Sequence, residues 1–120
     1  MVERAAAEAF ARAWYEAWNA HDLDAVMSHY ADDVEMASPL VVSLAGSPAG
    51  TIAGKDALRA YFAAGLERYP ALRFEPLGLF VGVDSLVLHY LSVDGRPSAE
   101  VVFLDDEGKV VRYFAHYGAT

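Results

Sequence analysis

Apolar residues first recur at helical spacing. Phe10, Trp14 and Trp18 fall four residues apart in a segment rich in Ala, Glu and Arg. That spacing puts three rings on one face of a helix over residues 2–20. The pattern breaks at Asn19-Ala20-His21-Asp22. Asp22 carries the short acceptor side chain that caps free backbone N–H groups, so a second, short helix follows. Leu23, Val26, Met27 and Tyr30 share its apolar face. Residues 34–38 are β-prone and stop at Pro39. Residues 39–54 contain two prolines and three glycines and read as loop, with a short edge strand near Ser43 or Thr51-Ile52. A third helix is predicted over 55–69, striped by Leu58, Tyr61, Phe62, Leu66 and Tyr69 and ended by Pro70.

Beyond Pro70 the period shortens to two. Strands are predicted over 72–81, 85–93, 98–104 and 109–117, divided by Gly82-Val83-Asp84, Asp94-Gly95 and Asp105-Asp106-Glu107-Gly108. Pro76 places the first of them at a sheet edge or a bulge. Helices followed by an antiparallel meander define an α+β fold, and 120 residues make one domain, 1–120. The last strand is apolar on both sides. Val111, Tyr113, Ala115 and Tyr117 lie on one, and Val110, Arg112, Phe114 and His116 on the other. A sheet with one wet face alternates more cleanly, so both faces should be covered. The helices cover one. A second copy of the chain is the expected cover for the other, giving a homodimer through the outer sheet face.

Charge narrows the partners. The formal net charge is −8 and the nine Lys and Arg residues are scattered, which excludes the basic patch that nucleic acid requires. There is no cysteine, hence no disulfide framework or thiolate chemistry. No stretch reads as a signal peptide or a membrane span, so a cytoplasmic protein without membrane contact is expected. His21, His29, Asp32 and Asp33 are near in sequence but lie across a helix and a turn, so no metal site is expected. His21 reads as a solvated or capping group, His29 as exposed and His116 as part of the dimer interface.

Candidate chemistry comes from hairpin arithmetic. A four-residue loop at 105–108 pairs Leu104 with Lys109 and sets Glu100 opposite Tyr113. A two-residue loop at Asp94-Gly95 pairs Val93 with Arg96 and sets His89 opposite Glu100; a loop one residue longer replaces His89 with Tyr90. Opposed residues share a face, so Glu100, His89 and Tyr113 are the candidate catalytic set. On the inner face, desolvation raises the pKa of the Glu100 carboxyl. Glu100 is then a proton acceptor or donor, His89 its partner and Tyr113 a hydrogen-bond donor. Trp14, Trp18, Tyr30, Met36, Ser38, Tyr61, Phe62, Tyr90, Val102, Ala115 and Tyr117 are the candidate walls of an apolar pocket for a small organic molecule. No cofactor motif is present: the glycines at 46, 50 and 54 lack the Lys-Ser/Thr pair of a phosphate loop.

Three motifs carry a resemblance that spans nearly the whole chain: WNAHDLDAVMSHYADDVEMASP at 18–39, GKDALRAYF at 54–62 and EGKVVRY at 107–113. Their order is similar to that of the nuclear transport factor 2-like superfamily, and most like its SnoaL-like and ketosteroid-isomerase-like domains. The resemblance implies a cystatin-like cone, with three N-terminal helices packed on a strongly curved, mainly antiparallel sheet and a pocket at the open end. That pocket serves isomerases, cyclases, dehydratases, epoxide hydrolases and non-catalytic binders alike. The resemblance puts Ser38 where steroid isomerases carry their carboxylate base. Trp14 stands where they carry an oxyanion-hole tyrosine, and Glu100 where they carry a protonated carboxyl. Against the epoxide hydrolases, the polar set of that family falls on Tyr90, Ser92, Ala115, Met36 and Ser38, none of which keeps the required group. The implied activity is cofactor-independent isomerase, cyclase or dehydratase chemistry, with ligand binding or protein interaction without catalysis as the alternative.

Overall fold

The computed structural model describes residues 1–118. Helix α1 spans Arg4–Asn19 and α2 Leu23–Met27; β1 follows at Tyr30–Ala37, α3 at Pro39–Leu44, β2 at Thr51–Ala53 and α4 at Lys55–Arg68. The meander consists of β3 (Glu75–Val81), β4 (Ser85–Leu91), β5 (Pro97–Leu104) and β6 (Val110–Tyr117). All six strands form one sheet in the order β2-β1-β6-β5-β4-β3. Every neighbouring pair is antiparallel except β1 and β6. Parallel neighbours need a long crossover; here it comprises α3, β2, α4 and the rest of the meander. Helix α1 packs against β3 at one edge of the sheet, and α4 against β1 and β2 at the other. The sheet therefore curls around the helical layer and has a concave inner face. No helix among the described residues is long and apolar enough to cross a membrane.

The break after α1 is built residue by residue. His21 N–H donates to Trp18 O and Asp22 N–H to Ala17 O, both at 3.0 Å, the two bonds of a Schellman motif. That motif needs a left-handed residue, and His21 takes it at φ 55°. Its ring offsets part of the strain by donating from Nε2 to Leu72 O at 2.8 Å. Asn19 binds the Phe74 backbone in both directions, Nδ2 donating to the carbonyl at 3.0 Å and Oδ1 accepting from the amide at 2.7 Å. Asp22 caps α2 through Ala25 N–H. Four residues thus end one helix, start the next and hold the segment leading into β3.

Three expectations change. There are four helices rather than three among the described residues, because Ser38 caps α3 through Leu40 N–H and Pro39 fits its first turn. Tyr30 opens β1 rather than closing α2. The His89 side of β4 faces outward: His89 pairs with Ala99 on one side and Gly78 on the other. The expected edge features of β3 are present, since β3 is the terminal strand and its register shifts between Pro76 and Gly78.

Candidate ligand site around Glu100

The register of β4 on β5 is set by their loop. Ser92 N–H donates to Arg96 O at 2.8 Å, so the loop holds three residues, Val93, Asp94 and Gly95. Asp94 at φ 58° and Gly95 at φ 69° take the left-handed turn. Leu88 then opposes Glu100 and Tyr90 opposes Ser98. His89 consequently lies on the opposite face from Glu100, and the predicted Glu100–His89 pair does not form. Tyr90 sits diagonally on the inner face, where its hydroxyl donates to Glu100 Oε1 at 2.5 Å. On the other side Glu100 opposes Ala115, and Val102 opposes Tyr113, with a register shift between Phe103 and Leu104. Tyr113 is therefore diagonal to Glu100 rather than opposite it, and still on its face.

Glu100 is 1% exposed. Its Oε2 has no hydrogen-bond partner. Burial penalises the charged form and pushes the carboxyl up to about 7; the hydroxyls of Tyr90 and Tyr113 oppose that shift. Of the two, only the Tyr90 hydroxyl meets hydrogen-bond geometry. The tyrosines move the same way. Tyr90 and Tyr113 are held well above the ordinary phenol value, first by burial and then by the nearby carboxylate. Burial pushes Tyr61 up to about 12 against the opposing Ser38 hydroxyl. These phenols stay protonated donors at neutral pH, and Glu100 is the group poised to exchange a proton there.

Around Glu100 lies a narrow chamber of about 60 Å³, enough for a few waters. Trp18, Met36, Tyr61, Phe62, Tyr90, Ala115 and Tyr117 from the expected wall line it, together with Glu100 and Tyr113. Leu40, Leu44, Gly65, Tyr69, Leu72, Phe74, Ser92 and Val93 complete it. Leu40, Tyr69, Val93 and Tyr117 also line an outer groove of about 360 Å³ that carries Asp94 and Arg96.

Four expected wall residues are not among the lining. Trp14 stands one layer behind, against Phe74 and Tyr90 at 5.6 and 5.5 Å between ring centroids, and its indole N–H donates to the Tyr30 hydroxyl at 3.1 Å. Tyr30 is itself screened by Phe62 and Tyr113. Val102 is fully buried deeper along β5. Ser38 is occupied in capping α3. Leu40 and Leu44 escaped the sequence reading because 39–54 read as loop; Ser38-Pro39, a cap followed by proline at the first helical position, was the signal for them. The outer groups also have places. His29 packs edge-on to Phe10 and its pKa is lowered by burial and by Lys109, so it is not the exposed residue expected. His116 lies exposed on the outer face, its Nδ1 3.1 Å from Phe114 O.

A curved sheet folded over helices, with one carboxyl sunk among rings on its concave face, defines a pocket-forming α+β cone. The SnoaL-like domain matches residues 11–118, and the chain belongs to that family, within the nuclear transport factor 2-like superfamily. A SnoaL-like protein of unknown function from Burkholderia thailandensis is 44% identical over 99% of this chain and 100% of its own, with a TM-score of 0.94. A protein provisionally described as an isomerase of the SnoaL-like family, from Agrobacterium tumefaciens, is 18% identical over 96% of this chain and 99% of its own, at 0.76. A protein from Methylobium petroleophilum described as having a cystatin-like fold is 17% identical over 99% of this chain and 80% of its own, also at 0.76. No curated protein matches.

Proposed function

We propose that the chain binds a small, largely apolar organic molecule in the Glu100 chamber and moves a proton on it without a cofactor, in the manner of an isomerase or cyclase. The observation that carries this is Glu100 itself: a buried carboxyl with one oxygen held by Tyr90, the other unpartnered, and a pKa near neutrality. A general acid–base group works best with its pKa near the operating pH. As carboxylate, Glu100 takes a C–H proton beside a ligand carbonyl, and the electron pair moves onto that carbonyl oxygen. As carboxylic acid, it returns the proton at another carbon. Tyr113, a protonated donor on the same face, answers the developing oxyanion. The provisional isomerase description of the Agrobacterium protein supports the reaction class through fold alone.

The test is deuterium wash-in at the α carbons of cyclohexanone in heavy water, followed by proton NMR. The wild-type chain should exceed the buffer rate, and Glu100→Gln should lower the protein-dependent rate by about 10²–10⁴-fold. Equal rates for the two proteins would exclude Glu100 as the base. A second reading, binding without catalysis, is favoured by Ser38 at the position where steroid isomerases carry their carboxylate. It predicts saturable ligand binding with no exchange above buffer.

The outer sheet face is proposed as a homodimer interface. Phe80 is 60% exposed there, and Val87, Ala99, Val101, Phe103 and Phe114 are half-buried around it. Sedimentation should give a dimer at micromolar concentration; a monomer would end the proposal.

A further inference from the structure

The charged inventory of the chamber is one-sided. Glu100 is the only carboxylate in its lining, and no Lys, Arg or His joins it among the described residues. Oε1 accepts from Tyr90, while Oε2 is buried without a hydrogen-bond partner. A buried carboxylate lacking a countercharge is costly, and an opposite charge brought within contact distance relieves that cost strongly in a low-dielectric site. Much of the wall is ring: Trp18, Phe62, Phe74, Tyr90 and Tyr113 among others. Aromatic walls tolerate and attract cations. An anionic ligand would meet the phenol donors of the wall but no cationic side chain, and would be repelled by the carboxylate.

We propose that the inner end of the ligand is a basic nitrogen, bound as an ammonium donating to Glu100 Oε2 inside the ring-lined chamber. This rests on the pocket reading above in its binding form and names its ligand class, small organic amines; an ammonium on Oε2 takes up the oxygen that would otherwise accept a C–H proton. When a neutral amine meets protonated Glu100, the proton leaves the carboxyl oxygen for the nitrogen lone pair and an ion pair results, so charge and protons balance. The net charge of −8 adds a long-range attraction for such ligands and repels their acidic counterparts.

Three probes of nearly one size separate the possibilities: butylammonium, butanol and butyrate. Each is titrated into the wild-type chain, with binding read from NMR shifts of the Trp18 indole N–H and the ring resonances of Tyr90 and Tyr113. At pH 8 butylammonium should bind at least about tenfold more tightly than butanol, and butyrate should not bind. Below pH 7 Glu100 is protonated while the amine stays charged, so butylammonium should weaken about tenfold per pH unit and butanol should not. Glu100→Gln should erase the preference of butylammonium over butanol. The wild-type pH profile stands as an independent readout if that variant folds poorly. Butanol binding as tightly as butylammonium at pH 8, or a butylammonium affinity flat from pH 5.5 to 8, overturns the amine proposal and leaves the ligand pocket standing. Pocket signals unmoved by all three probes would overturn the amine proposal and the pocket reading together.

Discussion

Two polar clusters stand out in this domain, one at its partly exposed helix break and one fully buried, and they are satisfied to different degrees. At the break after α1, Asn19, His21 and Asp22 each meet a named partner: the Phe74 backbone, the Leu72 carbonyl and the Ala25 amide. At Glu100, one oxygen is bonded and the other is not. The first cluster spends its hydrogen bonds on holding chain segments together. The second keeps an acceptor free at a cost to stability, as the proposed ligand site requires. The contrast yields opposite expectations for mutation: loss of stability at the break, and gain of stability with loss of function at the chamber.

The largest effect should appear at the chamber. The Glu100 carboxyl sits near 4.5 in the unfolded chain and about 7 in the folded one. The folded state therefore holds a proton that the unfolded state has lost between those values. The contribution to stability is complete below 4.5, falls as pH rises from 4.5 to 7 and is flat beyond. At about 1.4 kcal/mol per unit the loss amounts to about 3 kcal/mol. Urea unfolding of wild type against Glu100→Gln over pH 4–8 should show this slope in the first protein only. A wild-type curve that rises across that window would mean Glu100 is ionised and paired.

At the break, Asn19→Ala should cost about 2–3 kcal/mol, because it strands both the amide and the carbonyl of Phe74. Urea unfolding at pH 7 measures it. The chamber probes should still respond to pH with the wild-type midpoint. A variant that lost the pH response while keeping its fold would couple the two clusters and dissolve the distinction.

The two clusters were also legible to different degrees. The Asn19–Asp22 break rests on local chemistry, a cap and a helix end, and such signals lie within a few residues of sequence. The inward side of Glu100 was legible for the same reason, since Val102 and the strand alternation mark that face. Its neighbours were legible only as alternatives, His89 for a two-residue loop and Tyr90 for a longer one. They depend on loop length, and a three-residue loop with Asp94 and Gly95 in the left-handed region moved His89 to the far face and set Tyr90 beside Glu100. Leu104 pairs with Val110 rather than Lys109, and a further one-residue shift follows between Leu104 and Phe103; the two together moved Tyr113 from opposite to diagonal. A one-residue change in pairing flips a face, whereas a two-residue change keeps it. That is why His89 was misplaced and Tyr113 was not.

The Tyr90 hydroxyl gives a smaller test of the chamber. Tyr90→Phe removes the one bond that stabilises the Glu100 carboxylate by geometry, so the carboxyl should titrate about one unit higher, some 1.4 kcal/mol in the same direction as burial. Carbon-13 NMR titration of the glutamate carboxyls reads it directly. An unchanged midpoint would assign the tuning to Tyr113 instead.

The smallest effect should come from His21, where two terms oppose each other. The residue occupies the left-handed region at φ 55°, which costs a non-glycine residue about 1–2 kcal/mol. Its ring returns about 1 kcal/mol through the Leu72 carbonyl. His21→Gly removes both terms and should change stability by less than about 1 kcal/mol. His21→Ala keeps the strain and loses the bond, so it should be the worse of the two by about 1 kcal/mol. Thermal and urea unfolding of the pair isolate the backbone term from the ring term. If alanine proves as stable as glycine, the Schellman geometry carries no strain at His21, and the ring bond to Leu72 is then what selects histidine at a position that usually takes glycine.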